Sequence, residues 1–232
     1  MEIAPNVHQV EGIPPVSNAY LIVGDDGLLL VDTGIALAAR GVLRYIRRLG
    51  FDPSAVKAIF ITHGDGDHIG GLYAIARETG ASVVAHRAEV PLVEGRDVRR
   101  PTAPSFADRL TAPLVRLVMP SKPVAVSHPV ADGDSAFGLT VIHAPGHSPG
   151  SACYLLPAQK VLFAGDALTH WGGHLAPPMK AYTTDMAEAV RSIQRLAQHD
   201  FEVCCFGHGP AITRDARAAI ADFAARLQES HI

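Results

Sequence analysis

The chain has 232 residues, of which 48% are hydrophobic and 19% charged. This composition predicts a substantial core in one large domain or two tightly fused halves, and it argues against disorder. Because 20 basic residues nearly balance 23 acidic ones, we expect neither nucleic acid nor a membrane as a partner. Residues 1–6 lack the parts of a secretion signal, and no apolar stretch approaches the roughly 20 residues that cross a bilayer, which predicts a cytoplasmic protein.

The first half of the chain reads as strand, helix, strand. A strand at 19–23 and a turn at 24–27 precede an apolar run at 28–31, which ends in Asp32. A helical stretch at 43–49 follows, and then a second apolar strand that leads to His63. A short helix at 70–79, ended by Gly80, and a strand at 82–85 complete this half.

Residues 87–130 interrupt the pattern and read as a proline-rich connector or lid between the halves. They contain seven prolines, with short helical pieces predicted at 106–110 and 114–119. Loops of this length in compact domains usually have a function of their own. Either a substrate entrance or a homodimer contact is therefore predicted for the apolar side chains Leu114, Leu117, Val118 and Met119.

The second half repeats the order of the first. An apolar run at 161–164 ends in Gly165-Asp166, a helical stretch occupies 190–196, and a strand at 203–206 leads to Gly207-His208-Gly209. Two such halves predict an α/β fold, a four-layer αββα sandwich in which His63 and His208 occupy equivalent strand ends. A final helix is predicted at about 214–228, and Cys153, Cys204 and Cys205 are interpreted as buried strand residues.

Seven ionisable residues lie at the polar ends of apolar segments, close to glycines. They occur in the segments Thr62-His63-Gly64-Asp65-Gly66-Asp67-His68, Gly146-His147-Ser148-Pro149-Gly150, Gly165-Asp166 and Gly207-His208-Gly209. Four imidazoles and three carboxylates are typical ligands of a two-metal site. The predicted metal ligands are therefore His63, Asp65, Asp67, His68, His147, Asp166 and His208.

With these motifs, nearly the whole chain resembles the metallo-β-lactamase superfamily. The resemblance implies one αββα domain over residues 1–232, with two metal ions, usually zinc, at one edge of the sheets. By the same resemblance, His63, position 65 and His147 hold the first ion. Asp67, His68 and His208 hold the second ion, and Asp166 bridges the two.

Position 65 departs from the family's usual His-x-His-x-Asp-His motif, because it is Asp where the second His is usual. A carboxylate oxygen can replace an imidazole nitrogen on zinc. Three carboxylates, however, cancel the charge of two divalent ions and a bridging hydroxide. The neutral centre predicts a weaker Lewis acid and a shift towards harder ions. Two zinc ions remain the leading expectation, and iron or manganese are alternatives; flavodiiron proteins, which share the fold, have a Glu at the comparable position.

Three functions are compatible with these features. The leading hypothesis is a hydrolase in which a metal-bridging hydroxide attacks an ester, lactone or thioester of a small molecule, while Asp67 handles the proton. Similarity to lactonases implies that Tyr182 contacts the substrate. Trp171, His170 and His174, in a glycine- and proline-rich loop predicted at 168–178, are interpreted as rim residues, with either histidine as an alternative proton shuttle. The second hypothesis is a non-haem iron redox enzyme, persulfide dioxygenase-like or flavodiiron-like, and the third is a catalytically silent metal-binding relative.

Overall fold

The computed structural model describes residues 1–98 and 121–229. The strands, in chain order, are β1 (Glu2–Ala4), β2 (Val7–Gln9), β3 (Tyr20–Gly24), β4 (Gly27–Val31), β5 (Val56–Ile61), β6 (Ser82–His86), β7 (His128–Val130), β8 (Ser135–Ala136), β9 (Leu139–His143), β10 (Ala152–Leu156), β11 (Val161–Gly165), β12 (Thr169–Trp171), β13 (His174–Ala176) and β14 (Val203–Phe206). The helices are α1 (Ala39–Arg48), α2 (Gly66–Ile69), α3 (Leu72–Thr79), α4 (Val90–Val93), α5 (Met186–Leu196) and α6 (Ala216–Glu229). The helical pieces predicted at 106–110 and 114–119, with Leu114, Leu117, Val118 and Met119, lie outside the described residues.

Two sheets form the centre of the molecule. The first sheet has the order β1-β2-β3-β4-β5-β6-β7, and the second has the order β14-β11-β10-β9-β8. In the first sheet, β3 and β4 are antiparallel and β4 continues through α1 to the parallel strand β5. In the second, β10 and β11 are antiparallel and β11 continues through α5 to the parallel strand β14. The predicted repeat is therefore present in the topology of the two halves.

Side-chain alternation along the strands produces the four layers. In β4, Leu29 and Val31 face the second sheet, whereas Leu28 and Leu30 face the helices α1 and α3. In β11, Phe163 faces the first sheet and Leu162 faces α5 and α6. Because successive residues of a strand point to opposite faces, a strand buried on both faces must be apolar throughout. The predicted four-layer αββα sandwich is confirmed.

The structure differs from the sequence prediction in three places. The predicted loop at 168–178 contains the hairpin β12–β13, which turns at Gly172 and Gly173, both with positive φ. The end of the predicted connector, 128–130, is strand β7 and extends the first sheet beside β6. The helix predicted at 70–79 begins at Leu72, and the separate one-turn helix α2 precedes it.

Helix α2 is separate because the chain between α2 and α3 packs against the turn that follows β4. The Gly71 amide donates to the Gly34 carbonyl, and a Cβ atom on Gly71 would lie 2.6 Å from the Thr33 carbonyl oxygen.

Among the described residues, no helix combines the length and the apolar character that a membrane span requires.

Candidate metal centre

The predicted ligands lie at the carboxyl ends of strands, where the two sheets meet at one edge of the sandwich. His63 and Asp65 follow β5, and Asp67 and His68 belong to α2 immediately after them. The remaining three ligands follow strands of the second sheet: His147 lies in the loop after β9, Asp166 follows β11 and His208 follows β14. Ligand sites in α/β proteins are characteristically found beyond the carboxyl ends of strands.

The first group of ligand atoms contains those of His63, His147 and Asp166, all within 4.8 Å of one another. Asp65 belongs to the same place, because its Oδ2 lies 3.5 Å from His63 Nε2 and 3.2 Å from His147 Nε2. The carboxylate at the unusual position of the first motif therefore faces the two imidazoles with which it is predicted to share an ion.

The second group contains Asp67, His68 and His208, whose ligand atoms also lie within 4.8 Å of one another. Asp166 connects the two groups. Its Oδ2 is 3.2 Å from His208 Nε2 and 3.8 Å from His147 Nε2, and its Oδ1 is 3.5 Å from His68 Nε2. The structure thus brings all seven predicted ligands together, with Asp166 between the groups.

The Nδ1 atom of each of the four imidazoles faces a protein oxygen on the side away from the centre. These oxygens, with their distances from Nδ1, are Asp32 Oδ2 for His68 (2.8 Å), Val16 O for His208 (2.7 Å), Thr62 Oγ1 for His63 (3.1 Å) and Thr183 Oγ1 for His147 (3.5 Å). Metal-binding histidines are characteristically oriented in this way, with one ring nitrogen donating to the protein and the other free for the metal.

Several buried atoms at the centre lack a hydrogen-bond partner among the described residues. They are His63 Nε2, His68 Nε2 and Asp166 Oδ1. Buried polar atoms in proteins are otherwise nearly always satisfied, and imidazole nitrogens and carboxylate oxygens are ligands of zinc and iron. The donor set therefore fits a divalent metal centre.

Without a metal, the charges at the centre stabilise one another. Burial disfavours the charged form of His68, but Asp67, Asp166 and Asp32 outweigh it and raise the His68 pKa to about 10. Burial is likewise outweighed at His208, where hydrogen bonds to Asp166 and Asp67 raise the pKa to about 11. The pKa of Asp166 is held well below its ordinary value, because His68 and His208 outweigh the effect of burial. The Asp166 carboxylate is therefore ionised at neutral pH.

Asp32 supports the centre, and the sequence prediction did not include it among the site residues. Its carboxylate accepts hydrogen bonds from Thr62 N (2.9 Å), from Thr62 Oγ1 (2.7 Å) and from His68 Nδ1 (2.8 Å). Its backbone has a φ of 56°, a left-handed conformation that few residues other than glycine, asparagine and aspartate adopt. The available signal was its place at a strand end, equivalent to Asp166 in the repeat.

Tyr182, the predicted substrate contact, is partly buried in the turn Lys180–Tyr182. The residues after this turn contact the loop that carries His147: the Thr184 amide donates to the His147 carbonyl (3.1 Å). The role of Tyr182 in substrate contact stays a prediction.

The hairpin β12–β13 carries the three predicted rim residues. The Trp171 side chain is 57% exposed and its ring stacks on the ring of His208 (centroids 6.4 Å apart). His170 Nδ1 lies 2.9 Å from the Pro210 carbonyl oxygen, and His174 is exposed on β13. Both histidines lie outside the two ligand groups found in the described part of the chain.

The three cysteines are buried on β10 and β14, as predicted.

Comparison with known proteins identifies the class to which this fold and site belong. The sequence model of the metallo-β-lactamase superfamily matches residues 12–208, so the chain belongs to this superfamily. The predicted family is confirmed, and it is a superfamily of metallo-hydrolases whose members bind divalent metals.

Among relatives, the probable metallo-hydrolase YybB of Bacillus subtilis is 28% identical over 198 residues, which are 85% of this chain and 82% of YybB. The acyl-coenzyme A thioesterase MBLAC2 of Gallus gallus is 31% identical over 66% of this chain and 57% of its own. Among solved structures, TTHA1623 in a di-iron-bound form is 28% identical, with a TM-score of 0.70 over 90% of this chain and 96% of that one.

Proposed function

We propose that this protein hydrolyses an acyl thioester, or a chemically related ester or lactone, at a centre of two metal ions. One observation carries the proposal: four imidazoles and three carboxylates converge at one edge, in two groups connected by Asp166. A single structural ion would need only one of these groups. A pair of groups with a shared carboxylate is the arrangement expected for a two-metal hydrolase.

The residues that would hold the ions follow from the two groups. His63, Asp65 and His147 would hold the first ion and Asp67, His68 and His208 the second, with Asp166 shared. When bound, the ions would supply a hydroxide nucleophile at neutral pH and polarise the carbonyl oxygen of the substrate.

Two residues of the chain are proposed to act on the substrate itself. Asp67 Oδ2 lies 3.3 Å from His208 Nε2 and is partly exposed. A carboxylate at this position can receive a proton and pass it to the leaving group. Tyr182 is proposed to donate a hydrogen bond from its hydroxyl to the substrate carbonyl oxygen, because its turn lies against the His147 loop.

The thioester is the first substrate class to test. A thiolate is a good leaving group, so a thioester can be hydrolysed by a weak Lewis acid. A neutral, carboxylate-rich metal centre would be such a weak Lewis acid. The name of the relative MBLAC2, an acyl-coenzyme A thioesterase, supports the same choice. Zinc is the proposed metal, with iron or manganese as alternatives.

A second candidate function is a non-haem iron redox enzyme acting on a persulfide. Asp65 favours it, because its carboxylate occupies a position at which imidazole is usual in the family and gives the first group an additional oxygen ligand. The di-iron form of TTHA1623 supports iron as an occupant.

Metal content and turnover distinguish these functions. The protein would be purified without added metal or chelator, and its metals would be quantified. Hydrolysis of acetyl and longer-chain thioesters would then be measured, with Asp166→Ala as the control for loss of the shared ligand. Two zinc ions and thioester turnover that Asp166→Ala abolishes would support the proposal. Bound iron with oxygen consumption on a persulfide would support the redox enzyme. If the fully metal-loaded protein turns over no ester, lactone, thioester or persulfide, the third hypothesis, a catalytically silent metal-binding relative, would be supported.

A further inference from the structure

Glu89, the residue before α4, carries a carboxylate in an unusual position. Its side chain is fully buried, with 0% exposure, and within the described residues it forms no ion pair with Lys or Arg. Transfer of a carboxylate from water into a protein interior is costly unless its oxygens are hydrogen-bonded. The contacts of Glu89 therefore indicate its role.

Those contacts join two separate loops. Glu89 Oε2 accepts a hydrogen bond from the Gly64 amide (2.7 Å), and Oε1 accepts from Ser148 Oγ (2.7 Å) and from the Gly150 amide (2.9 Å). Gly64 lies between His63 and Asp65, and Ser148 follows His147. One buried carboxylate thus connects the two loops that carry the ligands of the first ion.

The glycines of both motifs make this contact sterically possible. A Cβ atom on Gly64 would lie 3.1 Å from Glu89 Oε2, and a Cβ atom on Gly150 would lie 2.7 Å from Glu89 Oε1. The close approach of Glu89 therefore excludes a side chain at Gly150, and at Gly64 Leu92, whose Cβ would lie 2.7 Å from the added atom, excludes one together with Glu89. The hydrogen bonds of Glu89 end on Gly64, between His63 and Asp65, and on Ser148 and Gly150, which follow His147. The rings of His68 and His208 are held elsewhere, at Asp32 and Val16, and the Asp67 carbonyl accepts a hydrogen bond from Ser17 Oγ.

We propose that Glu89 is a positioning residue that sets the metal affinity of the first ion site and not that of the second. The inference rests on the proposed two-metal centre. By fixing the distance between the His63–Asp65 loop and the His147 loop, Glu89 keeps three ligands ready before the ion arrives. Residues that orient metal ligands typically change metal affinity by about 10- to 100-fold when they are mutated.

The test is Glu89→Gln, which preserves the shape of the side chain and removes its charge. Glutamine has one acceptor oxygen, so its NH₂ group must face the Gly64 amide or the Ser148–Gly150 loop, and one loop loses its acceptor. Affinity would be measured by titration of the metal-free proteins with Zn²⁺ against a chelator, and the environment of each ion by the absorption spectrum after Co²⁺ substitution. We expect two ions in the unmutated protein, and in the variant an about 10- to 100-fold weaker affinity for one of them.

Glu94→Gln is the matched control. Glu94 lies on the same segment and accepts a hydrogen bond from the Val126 amide (3.1 Å), but its hydrogen bonds end on Val126 and Arg96 and not on a ligand loop. We expect this variant to bind both ions with unchanged affinity and an unchanged Co²⁺ spectrum.

Three results would overturn the inference. Unchanged affinity for both ions in Glu89→Gln would show that the contact does not matter for the metal. Equal weakening of both sites would show a general structural role. Absence of metal binding by the unmutated protein would remove the two-metal centre itself, and with it the inference. If Glu89→Gln does not fold, Ser148→Ala, which deletes one of the three hydrogen bonds, replaces it, with a smaller weakening expected at the same single site.

Discussion

At the scale of single residues, Asp65 is the departure from the family motif with the largest chemical consequence. Its carboxylate lies 3.2–3.5 Å from two imidazole nitrogens, so it can replace an imidazole as a ligand without a change in the backbone. The difference lies in charge. In the proposed centre of two divalent ions and a hydroxide, a third carboxylate would cancel the remaining positive charge and reduce the power of the ions to acidify water.

Asp65→His should therefore retain two ions and increase the rate of thioester hydrolysis, by about tenfold if the pKa of the nucleophilic water falls by about one unit. Metal content and the pH dependence of kcat would be measured together, with Asp65→Asn as a neutral control that lacks the imidazole. Loss of one ion from Asp65→His would mean that the geometry of the carboxylate, and not its charge, is what the site requires.

Asp32 should affect chiefly the second ion, because it contacts His68 directly and reaches the first-ion ligand His63 only through Thr62 Oγ1. In Asp32→Asn one of the two carboxylate oxygens becomes an NH₂ group, so Thr62 or His68 loses its acceptor. We expect the affinity for the second ion to fall by about 10- to 100-fold, measured by the same chelator titration. Asp134→Asn, at an exposed turn where the carboxylate accepts the Ala131 amide, is the control. Unchanged affinity in Asp32→Asn would contradict this role.

At the scale of elements, the hairpin β12–β13 places an exposed aromatic ring beside the centre. Trp171 stacks on His208 with more than half of its surface exposed, and Met179, farther along the same segment, is also exposed. Such apolar side chains at the rim suit an acyl chain, because a substrate that covers them removes apolar surface from water.

Trp171→Ala should accordingly raise KM for long-chain acyl thioesters by about tenfold, equivalent to about 1.4 kcal/mol of lost binding, with a smaller effect on acetyl thioesters. Steady-state kinetics over a series of chain lengths would measure it. Phe137→Ala, at an exposed aromatic residue that contacts His128 and Phe60, controls for general loss of apolar surface. An equal rise in KM at every chain length would contradict an acyl-binding role.

The strands β6 and β9, one from each sheet, are joined by a stack of two imidazoles. The rings of His86 and His143 are 4.0 Å apart and nearly parallel. Burial, followed by the proximity of His143, lowers the pKa of His86 to about 4. In the unfolded chain the His86 pKa is about 6.5, so between pH 6.5 and 4 the unfolded state binds a proton that the folded state does not. Stability contributed by neutral His86 is therefore lost as the pH falls through this window.

His86→Phe should retain the stacking and remove this pH dependence. Between pH 7 and pH 5 the variant should lose about 1 kcal/mol less unfolding free energy than the unmutated protein, an estimate reduced for the solvent contact that His86 retains. Urea unfolding at the two pH values would measure the difference. His128→Phe, at an exposed histidine on β7, controls for the added phenyl ring. Parallel pH profiles for His86→Phe and the unmutated protein would contradict the assignment.

The elements that the sequence predicted are those with strong local signals. The strands that end in Asp32 and Asp166 are apolar throughout because both of their faces are buried, and their bounds were close to those observed. The hairpin β12–β13 was missed because each of its strands has only three residues and its glycine turn looks like part of a loop. Three residues are too few to show the alternation that identifies a strand.

The predicted ligands could be found from the sequence, whereas the residue that holds their loops, Glu89, could not. The seven ligands are recognisable because each occurs in a short motif of metal-binding residue types beside glycine. Glu89 has no such motif, because its partners are 25 to 61 residues away in sequence and meet it only when the two sheets pack. A lone glutamate in a proline-rich stretch gives no signal of that contact.

At the scale of the whole molecule, the two halves supply the ligands jointly. His63, Asp65, Asp67 and His68 follow a strand of the first sheet, and His147, Asp166 and His208 follow strands of the second. An ion held by both halves binds the folded chain and not the unfolded one, so it contributes directly to stability.

Removal of metal by a chelator should lower Tm markedly. With free ions at about 1,000 times their Kd, the linked stabilisation is about 4 kcal/mol per ion, which corresponds to a fall of about 8–16 °C for each ion removed from a chain of this size. Thermal unfolding with and without chelator would measure it, and His208→Ala should show a smaller fall because one site is already weakened. A Tm that does not respond to chelator would contradict a centre shared between the halves.

The distance of His208 along the chain from the residues that hold it has a consequence in time. Its ring is held by the Val16 carbonyl, and the Asn18 side chain donates to the Gly209 carbonyl (2.7 Å), so the contacts that orient the last predicted ligand are synthesised well before it. His68 leaves the ribosome 140 residues before His208, an interval of roughly 7–28 s at ordinary rates of translation. During that interval the nascent chain presents an incomplete set of carboxylates and imidazoles, so the proposed two-metal centre can assemble only after His208 has been synthesised.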